Sequence, residues 1–189
     1  VVVVPPTTLG NGIDRERGWG RTDETWNAKG ELGAYGIEEA WFGLGDRDIA
    51  THLVRTMRLQ EGRTLSEVTT ELCARWQPGV RLLPMTDDRV ETHIRITRNG
   101  ARELIHFQEY WIRLHAEVPV EEVVFEGVDM ARPAPGVVEA ITEADLVILP
   151  PSNPVVSIGP IAAVPGIRTA IRQTAAPVVG VSPIIGGGA

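Results

Sequence analysis

Leu146-Val-Ile-Leu149 and Pro177-Val-Val-Gly-Val181 are two short apolar runs in the last third of the chain. Between them lie the loop Pro150–Pro160 and a helical segment near Pro165–Thr174. Apolar runs of this length are typical of strands in parallel sheets, and the order strand, loop, helix, strand predicts a βαβ crossover. The pattern therefore indicates a parallel sheet covered on both faces.

Small polar residues follow both predicted strands. Ser152 and Asn153 come after the first strand, and Ser182 comes after the second. Ligands of such sheets bind at the carboxyl ends of the strands. Because Asn153 precedes a proline, it is biased towards an extended conformation that could project its side chain. The loop matches neither a Walker A motif nor a Gly-x-Gly-x-x-Gly fingerprint, so a loop that merely turns the chain stays open as the alternative.

A β-hairpin precedes this βαβ unit. Val90–Thr97 and Arg102–Gln108 are strand-like segments around Asn99-Gly100, a dipeptide typical of two-residue hairpin turns. Val80–Pro84 is predicted as a further short strand. The predicted fold class is therefore α/β: a Rossmann-like parallel sheet with flanking helices and an inserted β-hairpin. We expect one domain over residues 1–189, incomplete at its ends.

Helices are predicted on both sides of the hairpin. Apolar spacing predicts a helix over Ile49–Leu59 with Asp48 as its N-cap. Thr64 and Glu67 form a capping-box pattern that begins a second helix. Further helices are expected at Asp23–Tyr35 and Pro135–Glu143.

The composition argues against several classes of protein. Apolar residues make up 43 % and charged residues 23 % of the chain, an ordinary globular balance. No apolar run approaches the roughly 20 residues of a membrane helix, so no membrane partner is expected. The net charge of −7, with basic residues spread along the chain, argues against a nucleic-acid surface. The single cysteine, Cys73, is predicted to be a core residue and not a nucleophile, and it fits a cytoplasmic setting.

Two acidic segments could carry chemistry, and each has an ordinary structural alternative. Asp46-Arg47-Asp48 places two acids and an arginine at a helix start. Such a group either meets an anion or a metal, or it is an exposed cap with an internal ion pair. Asp87 and Asp88 follow a strand and either hold a divalent cation through oxygen or form an Asx-type turn.

An aromatic segment, His106-Phe-Gln-Glu-Tyr-Trp111, is the third candidate. Strand alternation would place His106, Gln108 and Tyr110 on one face and the other three residues on the opposite face. This mixture of aromatic and polar groups suits stacking on a flat heterocycle. A two-sided strand with an ordinary histidine is the alternative.

Taken in order, these segments resemble the 2-phospho-L-lactate transferase family, also called the phosphoenolpyruvate transferases of coenzyme F-420 biosynthesis. The matching stretches are Ile13-Asp-Arg-Glu-Arg-Gly-Trp-Gly20, Trp41-Phe-Gly-Leu-Gly-Asp-Arg-Asp48 with Ala50-Thr-His52, Leu83-Pro-Met-Thr-Asp-Asp88, His106-Phe-Gln-Glu-Tyr-Trp111, Pro151-Ser-Asn-Pro154 with Ser157-Ile-Gly-Pro160, and Ser182-Pro-Ile-Ile-Gly186. The resemblance runs from about residue 9 to the C-terminus.

The resemblance implies a particular group transfer. The donor would be a guanosine diphosphate ester, either lactyl-2-diphospho-5'-guanosine or enolpyruvoyl-2-diphospho-5'-guanosine. The acceptor would be the terminal ribityl hydroxyl of 7,8-didemethyl-8-hydroxy-5-deazariboflavin, and GMP would be released. Mg²⁺ is the implied cofactor, because it would bridge the phosphates and offset developing charge.

The resemblance also implies roles for individual residues. Arg47 is the best candidate for contact with the deazaflavin, together with His106 and Trp111. The candidate nucleotide-binding residues are Ser152, Asn153, Ser157 and Ser182. Asp46, Asp87 and Asp88 are candidate catalytic acids. Asp87 and Asp88 are also candidate metal ligands.

Parts of the family pattern are not matched by this chain. Family members begin with a Gly-rich strand and loop, carry an Asp-Leu-Asp-Thr segment expected to bind metal, and extend further at the C-terminus. We therefore expect a fragment, and the predicted function is that of the intact protein. The resemblance is compatible with a homodimer. A non-enzymatic nucleotide- or nucleotide-sugar-binding regulator of the same superfamily is the alternative, but Gly45–Asp48 and His106–Trp111 favour the enzyme.

Overall fold

Helices and strands follow one another much as the sequence predicts. The computed structural model describes residues 1–4, 24–37 and 43–184. Its strands and α-helices are β1 (Val2–Val4), α1 (Asn27–Ala34), α2 (Asp46–Gln60), α3 (Leu65–Trp76), β2 (Leu82–Pro84), β3 (Glu91–Arg98), β4 (Ala101–His106), β5 (Val120–Glu126), α4 (Val137–Thr142), β6 (Val147–Leu149), α5 (Gly159–Ala163), α6 (Ile167–Gln173) and β7 (Val178–Gly180). Shorter turns are a π-helix at Glu109–Arg113, a 3-10 helix at Val128–Met130 and a π-helix at Pro154–Ile158. The matching segments at 13–20, 41–42 and 185–186 lie outside the described residues.

Two parallel strand pairs belong to the α/β part of the fold. β1 pairs with β2, and β6 pairs with β7 so that Ile148 lies opposite Val179. The helices α5 and α6 connect β6 to β7, which confirms the predicted βαβ crossover and the α/β class. The prediction that both faces of the parallel sheet are covered is wrong for β6 and β7 within the described residues. Val147 packs against the main core, whereas Ile148 is 57 % and Val179 47 % exposed, so one face of this strand pair lacks cover among the described residues.

The inserted hairpin is confirmed as part of a three-stranded antiparallel sheet in the order β4-β3-β5. Asn99 and Gly100 connect β3 to β4 with φ values of 54° and 78°. A type I′ turn needs positive φ at both positions, and asparagine and glycine tolerate it best. One face of β3 buries Ile94 and Ile96, whereas the other face carries polar side chains such as His93.

The main core lies between β2, α4 and α6. Its buried residues are Leu83, Met85, Ala131, Ala134, Val137, Ile141, Val164, Ile167 and Ala170. Met85 and Thr86, directly after β2, are 1 % and 0 % exposed. Because close-packed interiors resist displacement, this burial fixes the position of the acidic residues that follow.

The N-terminus of α2 differs from the prediction. The helix begins at Asp46 with Gly45 as its N-cap, so the predicted N-cap Asp48 is wrong. The reason is a tertiary contact: Glu24 accepts a hydrogen bond from the backbone N–H of Arg47. An acceptor from a distant segment thus performs the task that the sequence pattern assigned to Asp48.

The predicted strand His106–Trp111 is also wrong beyond its first residue. β4 ends at His106, and the chain turns into the π-helix Glu109–Arg113. Tyr110 is buried against Ile94 and Ile96, and its hydroxyl donates to the carbonyl oxygens of Ala116 and Val118. Burying this ring and its hydroxyl partners requires the chain to turn back over the sheet, so strand alternation does not apply.

Helix α3 begins with the predicted capping box, in which Thr64 accepts from the N–H of Glu67 and Glu67 accepts from the N–H of Thr64. Cys73 on this helix is only partly buried, next to the buried Leu72. Burial raises the pKa of the Cys73 thiol, which disfavours the reactive thiolate.

Among the described residues, no single helix is long and apolar enough to cross a membrane. The bent pair Pro154–Ala163 and Ile167–Gln173, which meet at 90°, meets the length and composition criteria only when taken together.

Candidate active site

A large cleft collects several of the predicted site residues. Its volume is about 1720 Å³, and it extends from β1 and the turn after β2, past the end of β4, to the loop after β6 and to α6. Of the predicted residues, its lining includes Asp87, Asp88, His106, Ser152 and Ser157. Asp46, Arg47, Trp111, Asn153 and Ser182 are not part of that lining.

The turn after β2 positions the two adjacent carboxylates. The buried hydroxyl of Thr86 accepts from the backbone N–H of Asp88 at 3.0 Å. Asp87 accepts from the N–H of Ser66, in the first turn of α3, through Oδ1 at 2.6 Å. Asp88 accepts from the N–H of Arg132 through Oδ2 at 2.8 Å. The turn is therefore of the Thr type and not of the predicted Asx type, and N–H groups of distant residues orient both carboxylates.

Each of these carboxylates keeps one oxygen for a ligand. Within residues 1–4, 24–37 and 43–184, Oδ2 of Asp87 and Oδ1 of Asp88 accept no hydrogen bond. Mg²⁺ in phosphoryl-transfer sites is held by one or two carboxylates together with water and substrate phosphates. The donor set at this turn fits that requirement.

The aromatic segment reaches the cleft with His106, which the sequence suggested, and with Phe107 instead of Trp111. His106, Phe107 and Gln108 line the cleft. Nδ1 of His106 accepts from the N–H of Gln108 at 3.2 Å, which fixes the tautomer and leaves Nε2 protonated if the ring is neutral. Trp111 is 54 % exposed and stacks on Phe107 with 6.0 Å between ring centroids. Phe107 is thus the ring that separates Trp111 from the cleft, and alternation along a strand could not identify it.

The loop after β6 combines a capping residue with cleft residues. Ser152 and Ser157 line the cleft. Oδ1 of Asn153 accepts from the N–H groups of Val155 and Val156 at 2.9 and 3.1 Å. The expectation that Asn153 projects its side chain is corrected by these bonds, because its oxygen is used to cap the turn that follows. Asn153 therefore holds the loop that presents the two serines.

Ser182 follows β7 as predicted, but its hydroxyl accepts from the N–H of Ile184 at 3.2 Å on an exposed part of the surface. This is a local turn of the Ser type.

Hydrogen bonds from within the protein occupy the carboxylate of Asp46. Its carboxylate accepts from the hydroxyl of Thr25 at 2.7 Å, from the side-chain amide of Asn27 at 3.1 Å, and from the backbone N–H groups of Asn27 and Ala28. The last two are the first N–H groups of α1, so Asp46 caps that helix. Bonds from Thr25 and Ala28 lower the pKa of Asp46 below its ordinary value.

In return, a residue that precedes α1 caps the N-terminus of α2. Glu24 accepts from the N–H of Arg47 at 2.9 Å. Gly45 is buried beside it, and a Cβ at this position would lie 2.2 Å from the Glu24 carboxyl carbon. A side chain at this position of the Gly-Asp-Arg-Asp segment would therefore displace the Glu24 carboxyl from its bond to Arg47.

Basic residues of the cleft were not anticipated from the sequence. The cleft is lined by Arg55, Arg81, Arg89, Arg168 and Arg172. Arg168 and Arg172 lie four residues apart on α6, and this spacing on a predicted helix was the available signal. Arginine binds phosphate through a planar fork of donors, so these side chains suit an anionic ligand.

The parallel strands, the polar residues at their carboxyl ends and the carboxylates in the cleft define an α/β protein. Residues 7–189 match the model of the family described as 2-phospho-L-lactate transferase CofD. The chain belongs to this family.

Curated relatives agree with the family match. The phosphoenolpyruvate transferase of Kitasatospora aureofaciens is 64 % identical over 180 residues, which are 95 % of this chain and 56 % of that protein. The phosphoenolpyruvate transferase of Mycolicibacterium smegmatis is 62 % identical over 182 residues, with coverage of 95 % and 56 %. The chain thus spans just over half the length of these relatives.

Solved structures of the protein BH3568 from Bacillus halodurans share the fold. One has a TM-score of 0.56 at 21 % identity and covers 73 % of this chain and 41 % of that chain. The other, described as a member of the UPF0052 family, has a TM-score of 0.53 at 21 % identity, with coverage of 71 % and 40 %.

Proposed function

We propose that the full-length protein is a transferase of coenzyme F-420 biosynthesis. In this proposal it moves a 2-phospholactyl or enolpyruvyl-phosphate group from a guanosine diphosphate ester to 7,8-didemethyl-8-hydroxy-5-deazariboflavin. Family membership and the names of the relatives support the reaction class. The observation that carries the proposal is the cleft in which the carboxylates after β2 lie in one cavity with the serines after β6.

The reaction requires positioning more than covalent chemistry. The terminal hydroxyl of the acceptor attacks the phosphorus next to the three-carbon acid, and the bond from this phosphorus to the oxygen bridging to GMP breaks. The hydroxyl proton leaves, and GMP departs with the negative charge. No enzyme nucleophile is needed, which agrees with the raised pKa of the Cys73 thiol.

The residues of the cleft divide between the two substrates in this proposal. Ser152 and Ser157 hold the diphosphate of the donor. Arg168 and Arg172 offset its negative charge. His106 and Phe107 meet the flat deazaflavin. These assignments follow from which residues line the cleft and from the chemistry of each side chain.

Asp87 and Asp88 would hold Mg²⁺ through their remaining oxygens, as members of a ligand set that also includes substrate phosphates. When bound, the ion offsets charge that develops on the transferred phosphoryl group. The two carboxylates would orient the ion through these oxygens, so the proton of the attacking hydroxyl would pass to solvent water and not to either carboxylate.

The residues outside the cleft lining have narrower proposed roles. Asp46 caps α1, and Asn153 caps the turn that holds the serine loop in place. Arg47, Trp111 and Ser182 stay proposed substrate contacts that depend on how the substrates extend beyond the cleft. A cytoplasmic location and a homodimer remain predictions.

The full-length protein, given the deazaflavin alcohol, the guanylylated donor and Mg²⁺, should release GMP and form the phosphodiester. Mass spectrometry of both products is the measurement, and the lactyl and enolpyruvoyl donors should be compared at equal concentration. Unchanged substrates with both donors would exclude the transferase. Donor binding without turnover would instead support the non-enzymatic regulator.

A further inference from the structure

A second cluster of ligating side chains lies on the polar face of the antiparallel sheet. Glu91 on β3 pairs directly opposite Glu126 on β5, and His93 follows two residues later on the same face of β3. One ligand atom from each of these three side chains lies within 4.8 Å of the others. The register of the sheet, and not a flexible loop, sets this arrangement.

His93 is the most enclosed member of the cluster. Its side chain is 15 % exposed, and the ring of His106 packs edge-on against it at 5.4 Å. Nδ1 of His93 is buried and lies 3.3 Å from Oε2 of Glu126, but the geometry is not that of a hydrogen bond. A buried nitrogen without a hydrogen bond is costly, and a ligand bound to it would remove that cost.

The two carboxylates need positive charge nearby. Like charges directly opposite on neighbouring strands destabilise a sheet. Arg89 offsets part of this repulsion, since its Nε and Nη2 both donate to Oε1 of Glu91, at 3.0 and 2.8 Å. Within the described ranges Oε2 of Glu91 accepts no hydrogen bond, so one oxygen of this carboxylate stays open to a ligand.

Space for a ligand adjoins the cluster. A concavity of about 340 Å³ is lined by Arg89, Glu91, Glu126 and Gly127. Gly127 has a φ of 82°, and a Cβ there would lie 2.4 Å from the carbonyl oxygen of Arg89, so the backbone comes close to that of the facing segment. The concavity thus opens directly onto both carboxylates.

We propose that Glu91, His93 and Glu126 form a site for a divalent transition-metal ion of the Zn²⁺ class. One imidazole nitrogen and two carboxylate oxygens suit such an ion, whereas Mg²⁺ prefers an all-oxygen set. Three protein ligands leave a fourth position open towards the concavity. Glu91 also lines the large cleft that contains Asp87 and Asp88, but neither of those carboxylates belongs to the proposed ligand set. The proposal does not depend on the transferase activity.

Cobalt(II) is a suitable probe, because its visible absorption reports ligation by imidazole and carboxylate. Untagged full-length protein should bind one Co²⁺ at this site, and Zn²⁺ should displace it. His93→Ala and Glu126→Gln should each weaken Co²⁺ binding by about tenfold or more. Glu126 is 58 % exposed, so Glu126→Gln tests the site without disturbing the fold even if His93→Ala unfolds.

Glu122→Gln is the matched control, because Glu122 lies on the same face of β5 but pairs with Arg95 at 2.7 Å. Its Co²⁺ affinity should equal that of the unchanged protein. A double variant, Asp87→Asn with Asp88→Asn, should also keep Co²⁺ binding, which separates this site from the proposed Mg²⁺ ligands. Undiminished binding in Glu126→Gln, or no saturable binding by the unchanged protein, would overturn the proposal.

Discussion

The start of α2 and the turn after β2 both present acidic residues that the sequence marks as candidate catalytic groups, yet the structure treats them differently. The carboxylate of Asp46 accepts four hydrogen bonds, which link it to Thr25 and to the first turn of α1. Asp87 and Asp88 each accept one bond from a backbone N–H, and each keeps an oxygen open in the described structure. Whether an acidic residue can bind a ligand therefore depends less on its residue type than on the hydrogen-bond donors around its carboxylate.

The difference has a physical basis in lone pairs and desolvation. A carboxylate offers about four acceptor positions, and filling them from within the protein leaves little for a substrate or metal. A carboxylate held by one bond is oriented yet still able to bind a cation. The contrast teaches that capping and ligand binding compete for the same oxygen atoms.

The largest effect is expected for Asp87→Asn and Asp88→Asn. Asparagine keeps a carbonyl oxygen for the bonds from Ser66 and Arg132 but removes the charge that would hold Mg²⁺. We expect the rate of GMP release to fall by about a hundredfold or more, with little change in Tm. Turnover at saturating donor, measured together with thermal unfolding, checks this.

Asp129→Asn is the control for that experiment, because Asp129 is exposed and is not part of the cleft lining. It should retain full activity. Loss of turnover in folded Asp46→Asn protein, with Asp87→Asn and Asp88→Asn still active, would contradict the assignment of Asp46 as a cap and of the other two as ligand-binding residues.

A smaller effect, on stability and its pH dependence, is expected for Asp46→Asn. The pKa of folded Asp46 lies below its ordinary value of 3.8, mainly because of the bond from Thr25. Its contribution to stability is thus fully present above the unfolded-state pKa and is lost as pH falls through the folded-state pKa. We expect Tm to drop by a few degrees at neutral pH, and the difference to shrink in acid.

Thermal unfolding across this acid range, followed by circular dichroism, measures the effect. Glu31→Gln removes an equal charge from the exposed side of α1 and should change Tm little. An Asp46→Asn protein that matched the unchanged protein at every pH would argue that the cap contributes nothing.

The smallest effect is expected for Gly45→Ala. The new methyl group would meet the Glu24 carboxyl, which must move and so loosen its bond to the N–H of Arg47. We expect a loss of about 1 kcal/mol, comparable with that of a helix cap. Chemical denaturation gives this value.

Gly30→Ala on α1 is its counterpart, since no atom lies within 4 Å of a Cβ there. It should be neutral or slightly stabilising, because alanine favours a helix. Equal destabilisation by both substitutions would contradict the close-approach explanation.

Local chemistry determined much of this protein from the sequence alone. The Asn99-Gly100 turn, the Thr64–Glu67 capping box and the βαβ unit each depend on neighbouring residues, and all three are present. The cleft likewise contains Asp87, Asp88, Ser152 and Ser157, which follow the carboxyl ends of the parallel strands β2 and β6, where ligands of α/β proteins bind.

Only the tertiary structure decided which polar groups are available to ligands. Glu24 and Asp46 exchange caps between two helices, Asn153 caps its own turn, and Tyr110 turns the chain away from a strand. The pairing of Glu91 with Glu126 depends on a strand register that no local pattern reveals. Sequence patterns report bonding between near neighbours, whereas the use of a given oxygen or nitrogen depends on donors brought from distant parts of the chain.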